Sequence, residues 1–165
     1  MRLLTDADVE AVVDVRRFPG SRRHPHAARD AMARWLPEAG VGYRWDERLG
    51  GRRRPAEGSP HTGLRHPSFR AYADHMDTAE FATAVGELLE QLTEQRSVIL
   101  CSESLWWRCH RRLIADHVTA VHGVDVRHLF HDGRLAHHRM TDVTRVEGDA
   151  LVYDGGEPTL DLGDA

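Results

Sequence analysis

Between Val98 and Ala115 the chain reads Val-Ile-Leu-Cys-Ser-Glu-Ser-Leu-Trp-Trp-Arg-Cys-His-Arg-Arg-Leu-Ile-Ala. An apolar run stops abruptly at Cys101, Ser102 and Glu103, and a helix-like run then carries Trp106, Trp107, Arg108, Cys109, His110, Arg111 and Arg112. A core strand that empties into a thiol, a carboxylate and several cations suits a site better than it suits packing. Cys101 is a candidate nucleophile, because a helix start just after it would stabilise a thiolate and bind anions. A phosphatase-like loop would put Arg six positions after the cysteine, but position 107 is Trp and Arg108 comes one place late. The competing account of Cys101 is a small buried core thiol.

Two carboxylates are candidates for acid or base work. Glu103 follows a buried strand, where a carboxylate needs a partner or water. Arg16, Arg17, Arg108 or Arg111 would supply a structural ion pair as readily as Glu103 would supply catalysis. Asp14 lies between Val13 and Val15 and predicts a buried acid satisfied by arginine or backbone NH groups. Two carboxylates at one edge can also divide acid and base roles by their environments.

Arginine dominates the ligand-binding candidates. Arg16, Arg17, Arg22, Arg23 and Arg52-Arg-Arg54 fall in loops, and guanidinium holds phosphate in a bidentate fork. Arg108, His110 and Arg111 would line the same pocket. Tyr72 and Trp107, with Trp45, Phe69 and Trp106, are candidates for stacking on a base, although packing explains most of them. Cys109 falls in line with Leu113, so it is expected to pack. A Cys101/Cys109/His110 metal site lacks a Cys-x-x-Cys pair or a matching His spacing, so no metal and no cofactor are read from the sequence.

All 22 basic residues are arginine. Residues 1–72 carry 14 arginines against 9 acids, a balance of +5, and residues 73–165 carry 8 against 17, a balance of −9. A cationic half fits an anionic ligand, either a phosphate-bearing small molecule or nucleic acid. No apolar run reaches transmembrane length, and no secretory pattern opens the chain. Two cysteines cannot build a disulfide framework. These features predict a cytoplasmic protein with reduced thiols and no membrane partner.

The elements that must position these residues alternate. Strands are expected at Glu10–Val15, Val41–Trp45, Ser97–Leu100 and Val124–Phe130. Helices are expected at Ala27–Leu36, Ser68–Met76, from a Thr78 cap to about Gln95, and Leu105–His122. Leu49 to Pro67 is a long loop, a length more often functional than idle. Thr144–Val146 and Ala150–Tyr153 flank a possible hairpin turn at Glu147-Gly-Asp149. The pattern predicts a single three-layer α/β domain with a mostly parallel, Rossmann-like sheet. Residues 1–130 form its body, and 131–165 form a polar C-terminal extension packed on it or trailing from it. Ligands in such sheets sit beyond the carboxyl ends of the strands, where Asp14-Val-Arg-Arg17 and Cys101-Ser-Glu103 would converge.

Val13-Asp-Val-Arg-Arg-Phe-Pro-Gly-Ser-Arg-Arg-His-Pro-His26, Leu49-Gly-Gly-Arg-Arg53, Gly63 through Tyr72, and Cys101-Ser-Glu with Trp107 through Ala115 resemble domain-of-unknown-function family 488 over roughly residues 10–130. The resemblance implies a small α/β domain and no settled reaction. Members of that family usually open with a further strand and a Thr-Ile-Gly-His-Ser-like loop, so this chain is expected to lack one N-terminal strand. Taken together, the residues point to a hydrolase-like enzyme for a nucleotide or nucleic acid. The alternatives are a non-catalytic nucleic-acid-binding module and a thiol-redox protein using Cys101 and Cys109.

Overall fold

The computed structural model describes residues 1–156. Its centre is a parallel sheet in the order β2-β1-β3, formed by β1 (Ala11–Asp14), β2 (Gly42–Trp45) and β3 (Ser97–Leu100). β1 is the middle strand and is buried at every position. That is why its sequence is an apolar run without alternation: helices cover both faces of a parallel sheet.

Consecutive β1 side chains point to opposite layers. Val12 packs with Met32 and Leu36 of α2 (Arg29–Glu38) and with Val41. Val13 and Val15 pack on the other side, with Tyr72 of α3 (Pro67–Met76), Phe81, Val85 and Leu88 of α4 (Ala79–Glu94), and Leu113, Ile114 and Val118 of α5 (Arg111–Ala120). The three layers and the α/β class agree with the sequence pattern. α4 starts at its expected cap, where the Thr78 hydroxyl accepts from the Phe81 amide at 3.2 Å. α3 carries Pro67 in its first turn, where a missing N–H costs nothing.

The chain opens with a short helix, α1 (Arg2–Asp6). Two expectations are corrected. The helix expected from Leu105 is two pieces, a 3-10 turn at Trp106–Arg108 and α5 from Arg111, joined through an extended Cys109 (φ −120°, ψ 149°). The apolar spacing of 105–122 is continuous in sequence, but the chain bends at Cys109 so that its side chain faces inward.

The expected fourth strand does not join the main sheet. β4 (Arg127–Leu129) pairs antiparallel with β5 (Leu135–His137) in a separate hairpin. Only three residues pair, too few to extend a buried sheet. The Glu147-Gly-Asp149 turn does connect a hairpin, β6 (Thr144–Glu147) to β7 (Ala150–Tyr153).

The C-terminal hairpins are anchored on α5. Asp116 is fully buried, and its carboxylate accepts from the Thr141 amide (3.0 Å), the Thr141 hydroxyl (2.7 Å) and the Tyr153 hydroxyl (3.2 Å), and pairs with His138 Nε2 (2.8 Å). Trp106 stacks on His128 with ring centroids 3.7 Å apart. Leu151 and Tyr153 join the same core as Val13. The part of the predicted extension at 157–165 lies outside the described residues. Among those described, no helix is long and apolar enough to cross a membrane.

Candidate functional site

Because β1 and β3 are parallel, with Asp14 paired to Leu100, their carboxyl ends leave the sheet side by side. Val15 N–H donates to the Leu100 carbonyl at 2.9 Å, and the next residues on each strand are Arg16-Arg17 and Cys101-Ser102-Glu103. Asp14 itself points to the α2 face and is fully buried. One oxygen accepts from the Arg16 amide (3.1 Å) and Arg16 Nε (2.8 Å), and the other accepts from Arg16 Nη2 and from the Tyr43 hydroxyl at 2.7 Å. Those bonds fill the lone-pair positions of the carboxylate. The Asp14 hydrogen bond raises the Arg16 pKa against the cost of burial. Burial, then the Asp14 bond, raises that of Tyr43. Asp14 therefore sets the position of Arg16 and does not line the open cleft.

That cleft holds about 450 Å³. Arg17, Arg52 and Arg108 line it as its cations, with Glu103 as the acid in its lining; Arg16 also borders it, but its guanidinium is turned to Asp14 and the Ala27 carbonyl. Phe18 and Trp107 stand at the rim, 67% and 42% exposed. Arg52 has a left-handed backbone (φ 59°) and lies over the Phe18 ring at 5.9 Å. Such a conformation costs a non-glycine residue of order 1–3 kcal/mol and persists where the surroundings impose it. Gly50 and Gly51 let the loop pass close: a Cβ on Gly51 would lie 2.9 Å from His110 Nδ1, and one on Gly50 would lie 3.0 Å from the Arg17 Cα.

The cleft floor is Cys101, Cys109 and His110. Their candidate donor atoms all lie within 4.8 Å of one another. Cys109 Sγ is 3.6 Å from His110 Nδ1, and Arg111 Nε donates to it at 3.3 Å. Both cysteines are free; Cys109 is buried and Cys101 half-buried. The neighbouring Cys109 thiol lowers the Cys101 pKa against desolvation, with His110 acting in the same direction, and the same pairing raises Cys109. α5 begins at Arg111 with His110 as its N-cap, so the helix start lies beside Cys101 in space although ten residues on in sequence. The adjacent thiol and imidazole act in the same direction.

The structure places the other sequence candidates as follows. Glu103 is exposed and makes no ion pair among the described residues; its Oε1 accepts from the Leu105 amide at 3.3 Å. Of the two readings of Glu103, the arginine pair is not formed among the described residues; Arg111 instead donates to the Glu103 backbone carbonyl. Tyr72 is buried beneath the cleft. Its hydroxyl donates to the Leu49 carbonyl at 2.7 Å and its ring lies 4.9 Å from that of His110, so it supports rather than stacks. Arg23 is exposed and is not among the lining residues. Phe18, Gly51, His66 and Ser68 do line the cleft and were not singled out. Their signal was the loop prolines and glycines, which say that a loop turns but not where it lands.

A family model described as "Domain of unknown function DUF488" matches residues 1–118. No curated protein and no solved structure matches the chain.

Proposed function

The chain belongs to the DUF488 family, and we propose that the cleft of this member binds a phosphate-bearing ligand, a nucleotide or a nucleic-acid end, and hydrolyses a phosphoester in it. One observation carries this reading: three arginines, Arg17, Arg52 and Arg108, line a single cleft with one carboxylate beside them. Guanidinium groups match phosphate oxygens in bidentate pairs and stabilise the charge that builds on them during transfer. Phe18 and Trp107 at the rim offer flat apolar faces for a base.

Glu103 takes a proton from the attacking water as its oxygen bonds to phosphorus. The phosphorus–oxygen bond to the leaving alkoxide breaks, and the proton passes to that oxygen. Glu103 suits this work because it is exposed and free of arginine partners. Asp14 does not, because its lone pairs are occupied.

The test is a panel of inorganic phosphate, nucleoside mono- and triphosphates and 5′-phosphorylated dinucleotides, followed by calorimetry at low and high salt and by chromatography for products. Binding should weaken with salt and be lost in an Arg17→Ala, Arg108→Ala double variant. Glu103→Gln should bind and not turn over. Binding untouched by the arginine changes would overturn the reading. Salt-dependent binding of oligonucleotides without turnover by any panel member would replace it with the non-catalytic module.

A further inference from the structure

We infer that Cys101, Cys109 and His110 form a three-ligand site for a thiophilic divalent cation, zinc before others, with a fourth position open to the arginine-lined cleft. Zinc takes thiolate sulfur at about 2.3 Å and imidazole nitrogen at about 2.0–2.1 Å in tetrahedral geometry, which separates sulfur from nitrogen by about 3.6 Å and two sulfurs by about 3.8 Å. Cys109 Sγ and His110 Nδ1 are 3.6 Å apart, so two ligands already stand at coordination distance. Every donor pair in the cluster is within 4.8 Å. Cys101, the half-buried member, has to close by no more than about 1 Å to reach the tetrahedral sulfur–sulfur spacing.

The surroundings agree with a metal of this kind. Two thiolates cancel a divalent charge, so the loaded site adds nothing to the repulsion among Arg17, Arg52 and Arg108. Two sulfurs and an imidazole select zinc or a similar soft ion over magnesium or calcium. The Arg111 Nε bond to Cys109 Sγ at 3.3 Å is the sort of outer hydrogen bond that orients a ligating thiolate. The His110 ring is fixed between Tyr72 and the backbone of Gly51.

Three protein ligands with a vacant side are the pattern of a catalytic rather than a structural zinc, and here the vacant side faces the anion-binding groups. Cys101 and Cys109 lie too far apart in sequence to form a recognisable ligand pair. The 3-10 turn at Trp106–Arg108 folds the chain back and brings them together.

The inference extends the phosphate reading but does not rest on it, because its test needs no substrate. The full chain, held reduced, is stripped with a chelator and titrated with Co²⁺ and then Zn²⁺. Thiolate-to-cobalt charge-transfer absorption is followed, and bound metal is counted by mass spectrometry. We expect one ion per chain, Co²⁺ displaced by Zn²⁺, and alkylation of Cys101 by iodoacetamide slowed by zinc and restored by chelator.

Cys101→Ala, at the half-exposed position, should fold and should weaken zinc by more than the roughly 10–100-fold typical of losing an outer hydrogen bond. His110→Ala should do the same. No charge-transfer band in the reduced protein, or zinc binding equal in wild type and Cys101→Ala, would overturn the site. Phosphate binding measured on both apo and loaded protein separates this failure from failure of the arginine cleft.

Discussion

Asp14→Asn should unfold the protein before it disables the cleft. The Asp14 carboxylate receives the Arg16 amide, two positions on the Arg16 guanidinium and the Tyr43 hydroxyl. Asn keeps the size but only one acceptor oxygen, and its NH₂ group points a donor at donors. Arg16 is only 7% exposed, so water cannot restore what the carboxylate supplied. Removing one partner of such a buried pair costs about 3–5 kcal/mol. At about 2–4 °C per kcal/mol for a chain of this size, the melting temperature should fall by roughly 6–20 °C.

Tyr43→Phe removes a single bond to the same charge and should cost about 1.5–3 kcal/mol. An Asp14→Asn, Arg16→Gln double variant should cost less than the two single changes summed, because the second removes the charge the first strands. Circular-dichroism melting and urea unfolding measure all of these without a substrate. A loss below about 1 kcal/mol for Asp14→Asn would refute the reasoning. If turnover vanished at the same time, Asp14 would belong to the chemistry after all.

Glu103→Gln should leave stability within about 0.5 kcal/mol, since the side chain is exposed and holds no ion pair; a large drop on melting would reveal a structural partner. Cys101 should alkylate before Cys109 in metal-free protein, because Cys109 is 3% exposed; peptide mapping that finds Cys109 modified first would reverse the placement. Burial, with help from His122 and opposed by Asp149, lowers the His117 pKa to about 4. An unfolded histidine titrates near 6.5, so acid protonates the unfolded chain first. Stability present above about pH 6.5 should decline toward about pH 4, by up to about 3 kcal/mol from this residue. Urea unfolding across that range should show the slope, and His117→Leu should flatten it; an unchanged slope in that variant would assign the effect to other groups.

Where the physics is local, the sequence was readable. The Phe81, Val85, Leu88 stripe and the Thr78 cap place α4 within a residue, because helical spacing and a hydroxyl cap act over one or two turns. The β-branched run at Val12-Val13 identifies a strand covered on both faces, and its parallel pairing with β3 brings Arg16 and Cys101 to one edge. What stayed hidden depends on contacts far apart in the chain. For Glu103 the sequence leaves an arginine pair and acid/base work equally open, because arginines are plentiful nearby, and in the fold Arg111 reaches its backbone carbonyl instead. Tyr72 looked like a stacking residue, but its hydroxyl is tied to Leu49 from below. The meeting of Cys101 with Cys109 and His110 depends on a bend at Cys109, and apolar spacing does not encode it. Asp116 sat unnoticed within a helix, because its partners Thr141, His138 and Tyr153 all come from later in the chain.

The Asp116 anchor means that likeness and cooperativity have different borders in this molecule. The family match stops at residue 118, inside α5. Yet the carboxylate two positions earlier draws its side-chain partners from residues 138–153, and Tyr153, with no exposed surface, sits in the same core as β1. A fragment trimmed to the matched region would keep every cleft residue and still strand a buried charge beside an uncovered apolar face. Transplanting the site into another scaffold, or dissecting it from this one, therefore has to carry the hairpins as well, although none of their residues lines the cleft.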